Sequence, residues 1–176
     1  MNLEEMNKLG MFNPPLKDIV ISSVPTEPTF DVKYVCEDNK YTPVYANDTD
    51  ACMDLKIKVD KGTDIIYPNE MKTYETGCKF SVPENYVMLI FPRSSTGFKL
   101  QCRFANSTGI IDSGYRDTVK IALHNFGKTP VMVEDGQRIA QFMIIPRPKI
   151  NLVLVNDDDN FRKGDRGGGI GSTGLK

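Results

Sequence analysis

The stretch that decides the fold is Leu55-Lys-Ile-Lys-Val-Asp60, in which apolar and charged residues alternate at every step. A period of two is typical of a β-strand that has one face in the core and one in solvent. Short runs of similar character recur along the chain, at residues 32–36, 86–91, 119–123, 131–133, 139–145 and 150–155. The pattern therefore predicts many short strands.

Turn-forming residues separate these runs, at Pro68-Asn69, residues 83–85, Gly114, Gly127 and Asp135-Gly136. Many short strands at regular spacing predict an all-β sandwich, barrel or jelly roll. No helical stripe longer than two turns lies between the strands, which argues against a βαβ nucleotide fold. Any nucleotide would therefore be held by turns and loops.

The two ends of the chain differ from this middle part. Residues 1–30 are mixed, with a possible short helix at residues 3–9, and we interpret them as an extension before a domain at residues 31–156. Residues 157–176 begin with an acidic run and contain six glycines, five of them at positions 167–174. Such a segment is either a disordered tail or an arm that orders over a phosphate, for which Arg166, Ser172 and Thr173 would supply donors.

Composition narrows the classes of partner. Hydrophobic residues make up 40% of the chain and charged residues 26%, with a net charge of -1. This balance is ordinary for a globular protein and lacks the basic surplus that favours a nucleic-acid backbone. No stretch approaches the roughly 20 apolar residues that span a bilayer, and no secretory leader is recognisable. We therefore expect a cytoplasmic protein with neither a polymeric nucleic acid nor a membrane as partner.

The cysteines lie far apart in the sequence, at Cys36, Cys52, Cys78 and Cys102, without a C-x-x-C pair. The single histidine, His124, cannot complete a zinc set with any nearby two of them. We therefore expect four free thiols in a reducing compartment.

Residues 92–97, Pro-Arg-Ser-Ser-Thr-Gly, follow a strand that looks buried. Arg93 can fork onto phosphate oxygens, the serine hydroxyls can donate, and Gly97 permits close approach. The segment is either a polyphosphate site or a polar turn.

Residues 109–115 lie between two strands and are interpreted as a hairpin with a tight turn. Asp112 could act as a general base on water, and the ring of Tyr115 offers a flat surface for a sugar or base. The alternative is an Asx-type turn that Asp112 merely stabilises.

Asp54 opens a strand, and Arg138 and Gln141 are polar positions in a strongly apolar one. Buried polar side chains usually have partners, so Asp54 and Arg138 are candidate partners of each other. The alternative for Asp54 is a charge at a strand edge.

Five segments taken in order, residues 51–55, 92–97, 109–115, 136–141 and 166–174, resemble the five motifs of the trimeric dUTPase family. The resemblance covers roughly residues 32–174. It implies a jelly-roll subunit in a homotrimer, with active sites at subunit interfaces and the glycine-rich arm of one subunit closing over a site built by the other two. It also implies hydrolysis of dUTP to dUMP and pyrophosphate, which keeps uracil out of DNA and supplies dUMP.

The resemblance also implies roles for individual residues. Asp112 would activate the water that attacks the α-phosphorus, Asp54 and Arg138 would support the site, and Mg²⁺ would be held mainly by the triphosphate and water without a direct protein ligand. The phosphate chain would be bound by Arg93, Ser94, Ser95, Gly97, Gln141, Arg166, Ser172 and Thr173. Uracil and deoxyribose would contact Asn106, Gly109, Ile111, Tyr115, Val119, Lys120 and Ile170.

Uracil would enter a hairpin between Asn106 and Lys120, where main-chain groups near Val119 would mimic a Watson–Crick partner. Two departures from the family pattern stand out. Ile170 occupies the place of a phenylalanine that stacks on uracil, in a fifth motif one residue short, and Asp117 occupies the place of a glycine.

Two other functions remain open at this point. A dCTP deaminase shares the fold, but that family has a glutamate where this chain has Ala122, and an alanine-arginine pair where it has Gly97-Phe98. A non-catalytic nucleotide-binding member that signals to a regulatory protein partner is the second, although no residue specifically supports such a partner.

Overall fold

The computed structural model describes residues 30–156. The helix predicted at residues 3–9 and the glycine-rich arm, with Arg166, Ile170, Ser172 and Thr173, lie outside these residues. Within them, a 3₁₀ helix spans Asn39–Tyr41 and an α-helix, α1, spans Ser94–Phe98. The strands are β1 (Lys33–Cys36), β2 (Met53–Lys56), β3 (Thr63–Ile66), β4 (Met71–Glu75), β5 (Cys78–Ser81), β6 (Tyr86–Pro92), β7 (Cys102–Phe104), β8 (Gly109–Ile111), β9 (Lys120–Asn125), β10 (Val131–Glu134) and β11 (Arg138–Pro146).

The described strands pair antiparallel in four small sheets. Their orders are β2-β11-β6-β8, β4-β9-β7, β1-β5 and β10-β3. Most neighbours are distant in sequence, as in a jelly roll, where the chain crosses between sheets. The predicted all-β fold is confirmed. No helix among residues 30–156 is long and apolar enough to cross a membrane.

The predicted alternation of buried and exposed side chains at residues 55–60 is confirmed. The strand in the structure is shorter than this stretch. Leu55, Ile57 and Val59 are buried, whereas the intervening lysines are not. The strand itself ends at Lys56, and the next main-chain groups bond outside the ladder, with Ile57 N–H donating to the Gln137 carbonyl at 3.1 Å. The stretch therefore packs into one core with the inward faces of the sheets.

The strand predicted at residues 150–155 is wrong within the described chain. These residues have no strand assignment, and Leu152 and Leu154 are 91% and 99% exposed. Alternation describes two faces, but a strand also needs a neighbour for its main-chain groups. Conversely, β3, β4, β5 and β7 were not anticipated, because each is short and carries polar residues among its apolar ones.

The prediction of four free thiols is also wrong. Cys36 and Cys78 are directly opposite in the β1–β5 ladder and form a disulfide, although they are 42 residues apart in sequence. Strand pairing brings them together, which their spacing alone could not indicate. Cys52 and Cys102 are free thiols.

A polar cluster joins the 3₁₀ helix to the turn that precedes β11. The Tyr41 hydroxyl donates to Asp135 Oδ1 at 2.7 Å, and Lys40 Nζ lies 2.6 Å from Asp135 Oδ2. The Val59 N–H also donates to Asp135 Oδ1, at 2.9 Å. These bonds fix the turn from which β11 and its first residue, Arg138, begin.

Candidate active site

A buried carboxylate holds two arginines at one end of the largest sheet. Asp54 on β2 is 5% exposed. Its Oδ1 lies 2.7 Å from Arg93 Nε, and its Oδ2 accepts from Arg138 Nη1 at 3.0 Å. The sheet order explains this arrangement, because β11 lies between β2 and β6, and Arg93 directly follows β6. The predicted pairing of Asp54 with Arg138 is present, and Arg93 is a second partner that the sequence did not indicate.

Both arginines remain partly open to solvent, with side chains 26% exposed for Arg93 and 45% for Arg138. Asp54 uses one oxygen for each of them, so each guanidinium keeps further N–H donors. The carboxylate therefore orients two guanidinium groups that can still bind an anion from solvent.

The segment interpreted as a polyphosphate site or polar turn is the short helix α1. Thr96 is fully buried, and its hydroxyl donates to the Ile139 carbonyl at 2.6 Å. The Arg93 N–H donates to the same carbonyl at 3.2 Å, so the helix is fixed against β11. The N–H groups of Ser94 and Ser95 are in the first turn and have no intrahelical acceptor. With their hydroxyls, they supply donors next to the arginine pair.

Gln141 lies beside this cluster. It is opposite Asp54 in the β2–β11 ladder and opposite Phe91 in the β6–β11 ladder. Its amide donates to the Pro92 carbonyl at 3.3 Å. The structure thus brings together Asp54, Arg93, Ser94, Ser95, Gly97, Arg138 and Gln141.

Asp112 lies elsewhere in the same copy of the chain. The β6–β8 ladder is antiparallel and pairs Ile90 with Gly109 and Met88 with Ile111. The next residue, Asp112, therefore falls level with Val87 near the start of β6, whereas Arg93 follows its end. The six residue steps from Val87 to Arg93 correspond to roughly 20 Å along a strand. One copy of the chain thus separates its candidate base from its candidate phosphate site.

The hairpin predicted at residues 109–115 is wrong in its pairing. β8 pairs with β6, whereas β9 pairs with β4 and β7, so β8 and β9 belong to different sheets. The chain between them, residues 112–119, is a loop that crosses from one sheet to the other.

The loop begins with a tight turn at Asp112. The Tyr115 N–H donates to the Asp112 carbonyl at 3.0 Å, and the Tyr115 hydroxyl donates to the Thr118 carbonyl at 3.0 Å. The Asp112 side chain is exposed, whereas Tyr115 packs partly against the core. The turn therefore presents a solvent-accessible carboxylate next to an anchored aromatic ring.

Val119, proposed from sequence to lie near the groups that recognise uracil, is fully buried and its main chain is engaged. Its N–H donates to the Cys78 carbonyl at 3.0 Å, and its carbonyl accepts from Thr76 N–H at 2.9 Å. The main-chain groups of Val119 itself are therefore already paired within this copy of the chain. β8, by contrast, is the last strand of its sheet and has one unpaired edge among the described residues.

Gly109 lies close to the strand opposite it. Ile90 is opposite Gly109 in the β6–β8 ladder, and a Cβ added to Gly109 would lie 3.1 Å from the Cβ of Ile90. The glycine lets β8 lie close to β6. Of the other candidate base-binding residues, Ile111 is half-buried, and Asn106 and Lys120 are exposed on either side of the loop.

Comparison with known proteins adds to this geometry. A family model described as dUTPase matches residues 38–174. The deoxyuridine 5'-triphosphate nucleotidohydrolase of Clostridium tetani is 40% identical over 149 residues, which are 85% of this chain and 99% of the relative.

Two solved phage proteins share the fold. A Staphylococcus bacteriophage 80alpha dUTPase bound to dUpNHpp is 24% identical with a TM-score of 0.68, over 84% of this chain and 100% of that one. The dUTPase from phage phi11 of S. aureus, in a structure that shows a coordinated structural Mg(II) ion, is 21% identical with a TM-score of 0.65, over 73% of this chain and 98% of that one.

Proposed function

The chain belongs to the dUTPase family, and we propose that it hydrolyses dUTP to dUMP and pyrophosphate at sites shared between copies of the chain. The observation that carries the shared site is the separation of Asp112 from Arg93 along β6. A water molecule activated at the α-phosphorus must lie within hydrogen-bond reach of its base, about 3 Å, while the adjoining phosphates contact the arginine cluster. Roughly 20 Å along a strand exceeds that reach, so Asp112 of one copy would serve the cluster of another.

Exposed apolar residues support an assembly, which we propose is a homotrimer. The segment at residues 150–155 leaves Ile150, Leu152 and Leu154 largely exposed in a single copy. An apolar segment with unpaired main-chain groups is suited to packing on a second copy. If one interface pairs Asp112 with a neighbour's arginine cluster, a closed threefold ring repeats that pairing and forms three equivalent sites.

In the proposed reaction, Asp112 takes a proton from water, and the water oxygen attacks the α-phosphorus. The bond from the α-phosphorus to the bridging oxygen breaks, dUMP retains the incoming oxygen, and pyrophosphate leaves. Arg93 and the donors of Ser94 and Ser95 would bind the phosphate chain and stabilise charge as it develops. Asp54 would orient Arg93 and Arg138 without touching substrate.

The donor set fits a magnesium ion that arrives with the triphosphate. Among residues 30–156, no three His, Cys, Asp or Glu side chains are grouped so that they could hold a metal. Asp54 is committed to two arginines, and the exposed Asp112 offers a single carboxylate. Magnesium usually keeps several waters and binds through substrate phosphates, where it neutralises charge.

Selection for uracil would occur at β8. Main-chain groups at the unpaired edge of β8 could pair with uracil, and cytosine would leave those groups without partners. The ring of Tyr115 would pack against the deoxyribose. Arg166, Ser172 and Thr173 of the arm would bind the γ-phosphate, and Ile170 would cover the base without aromatic stacking.

We also propose that the protein acts in the cytoplasm, where free nucleotides are found. Disulfides are rare in that compartment, so Cys36 and Cys78 would be largely reduced there.

A substrate panel tests the function. Purified protein is incubated with dUTP, dCTP, dTTP or UTP plus Mg²⁺ while pyrophosphate and ammonia are followed. We expect pyrophosphate from dUTP far faster than from the other three. No release from dUTP would contradict the proposal, and ammonia from dCTP would favour a deaminase.

A further inference from the structure

Arg116 bonds across the turn that carries Asp112. Its Nη1 donates to the Ser113 carbonyl at 2.5 Å and to the Tyr115 carbonyl at 2.8 Å. The sequence motifs gave Arg116 no role. The residue is exposed and does not belong to the core. Both of its acceptors lie within three residues of Asp112.

The turn itself is a β-turn of residues 112–115. Its closing bond runs from Tyr115 N–H to the Asp112 carbonyl at 3.0 Å. That bond leaves the central peptide, between Ser113 and Gly114, free to take either of two opposite orientations, which distinguish type I from type II turns. A type II turn needs a positive φ at its third residue, which glycine readily adopts.

The orientation is set in this structure. The φ of Gly114 lies outside the positive region, so the turn is not type II. The carbonyl of the central peptide is that of Ser113, the shorter of the two contacts made by Arg116. Arg116 therefore holds the one peptide of the turn that its closing bond does not fix.

We propose that Arg116 is a positioning residue, which locks the central peptide of the turn and thereby keeps Asp112 in the geometry needed to activate water. Tyr115 does not depend on this lock to the same degree, because its hydroxyl is separately held by the Thr118 carbonyl at 3.0 Å. Loss of Arg116 should thus affect turnover more than substrate binding. The inference rests on the proposed function, in which Asp112 is the base.

The test compares three variants of the full-length protein. Arg116→Ala removes the lock, and we expect kcat for dUTP to fall about tenfold with KM within about twofold, since small displacements of a reacting group are costly. Arg116→Lys keeps a donor with several N–H groups. Its kcat should lie between those of Arg116→Ala and the wild type. Arg147→Ala is the matched control, because Arg147 is also exposed and donates to a loop carbonyl, that of Glu84 at 3.3 Å.

A second substitution separates positioning from a purely structural effect. A Cβ at Gly114 would meet no atom within 4 Å, and alanine strongly disfavours the positive φ of a type II turn. The double variant Gly114→Ala/Arg116→Ala should therefore regain most of the kcat that Arg116→Ala loses. Its kcat should approach that of Gly114→Ala alone. Thermal unfolding of each variant checks that the fold is retained.

The outcomes are distinct. If the wild-type protein hydrolyses dUTP and Arg116→Ala has the same kcat, the positioning role is overturned. The proposed function then stands. A rise in KM without a fall in kcat, or a double variant as slow as Arg116→Ala, would also overturn it. Absence of dUTP hydrolysis by the wild-type protein would instead contradict the proposed function.

Discussion

Asp112 and Arg93 lie near opposite ends of β6 within one copy of the chain. If a site takes Asp112 from one copy and Arg93 from another, two inactive variants should complement each other. Asp112→Asn and Arg93→Gln, unfolded together and refolded as a mixture, should recover about a quarter of wild-type activity by random assembly. Each variant refolded alone is the control. A mixture no more active than its components would contradict the shared site.

Asp54 is predicted to act through the two arginines that it orients. Asp54→Asn keeps the shape but removes the charge, which leaves two guanidinium groups without their common partner. We expect the free energy of unfolding to fall by about 1–3 kcal/mol and kcat/KM for dUTP to fall at least about tenfold. Asp60→Asn, an exposed aspartate on the loop after β2, is the control for loss of charge. Steady-state kinetics and urea unfolding measure both effects, and wild-type kcat/KM in Asp54→Asn would refute the role.

The Asp135 cluster predicts how stability depends on pH. Burial acts to raise the pKa of Asp135, but hydrogen bonds from Lys40, Val59 and Tyr41 outweigh it and lower the pKa to about 2. A carboxyl with a lowered folded pKa stabilises the fold above its unfolded pKa, about 3.9, and this contribution is lost as the pH falls through the folded value. Stability should therefore decline between about pH 4 and pH 2.

Urea unfolding across this range measures the decline for the wild type and for Asp135→Asn. The variant should be less stable at neutral pH and should show a shallower loss in acid. Some acid sensitivity should remain, because the hydrogen bond from Lys72 also lowers the pKa of Asp64. An acid profile identical to that of the wild type would show that the Asp135 cluster does not contribute.

The disulfide predicts sensitivity to reduction. It closes a loop of 42 residues, and the chain-entropy model gives a stabilisation of about 4 kcal/mol for such a loop. Dithiothreitol should lower the stability of the wild type to that of Cys36→Ser and should not affect Cys36→Ser further. Cys52→Ser, which removes a free thiol, should keep the response to dithiothreitol. A wild type indifferent to the reductant would contradict a stabilising bridge.

Local patterns predicted the fold class and the arginine site well. Alternation at residues 55–60 follows from burial on one face of the chain. A polar residue in a buried strand needs a partner, and for this reason the pairing of Asp54 with Arg138 could be predicted from the sequence. The second partner, Arg93, depends on β11 lying between β2 and β6. That order is a property of the whole topology and has no local signal.

Non-local pairing also explains the other errors. Residues 109–115 look like a hairpin because short strands flank a turn, yet β8 pairs with β6. The Cys36–Cys78 bridge requires the β1–β5 register, and residues 150–155 alternate without a partner strand in the described chain. Arg116 carried no signal either, because its acceptors are main-chain carbonyls that every residue possesses.

The most direct test of the account is the rate of pyrophosphate release from saturating dUTP by Asp112→Asn, measured beside the binding of the non-hydrolysable analogue dUpNHpp. The amide keeps the size of the side chain but cannot accept the proton from water. We predict turnover lower by about 10³-fold with analogue affinity within about threefold of the wild type. Turnover close to that of the wild type would contradict Asp112 as the base.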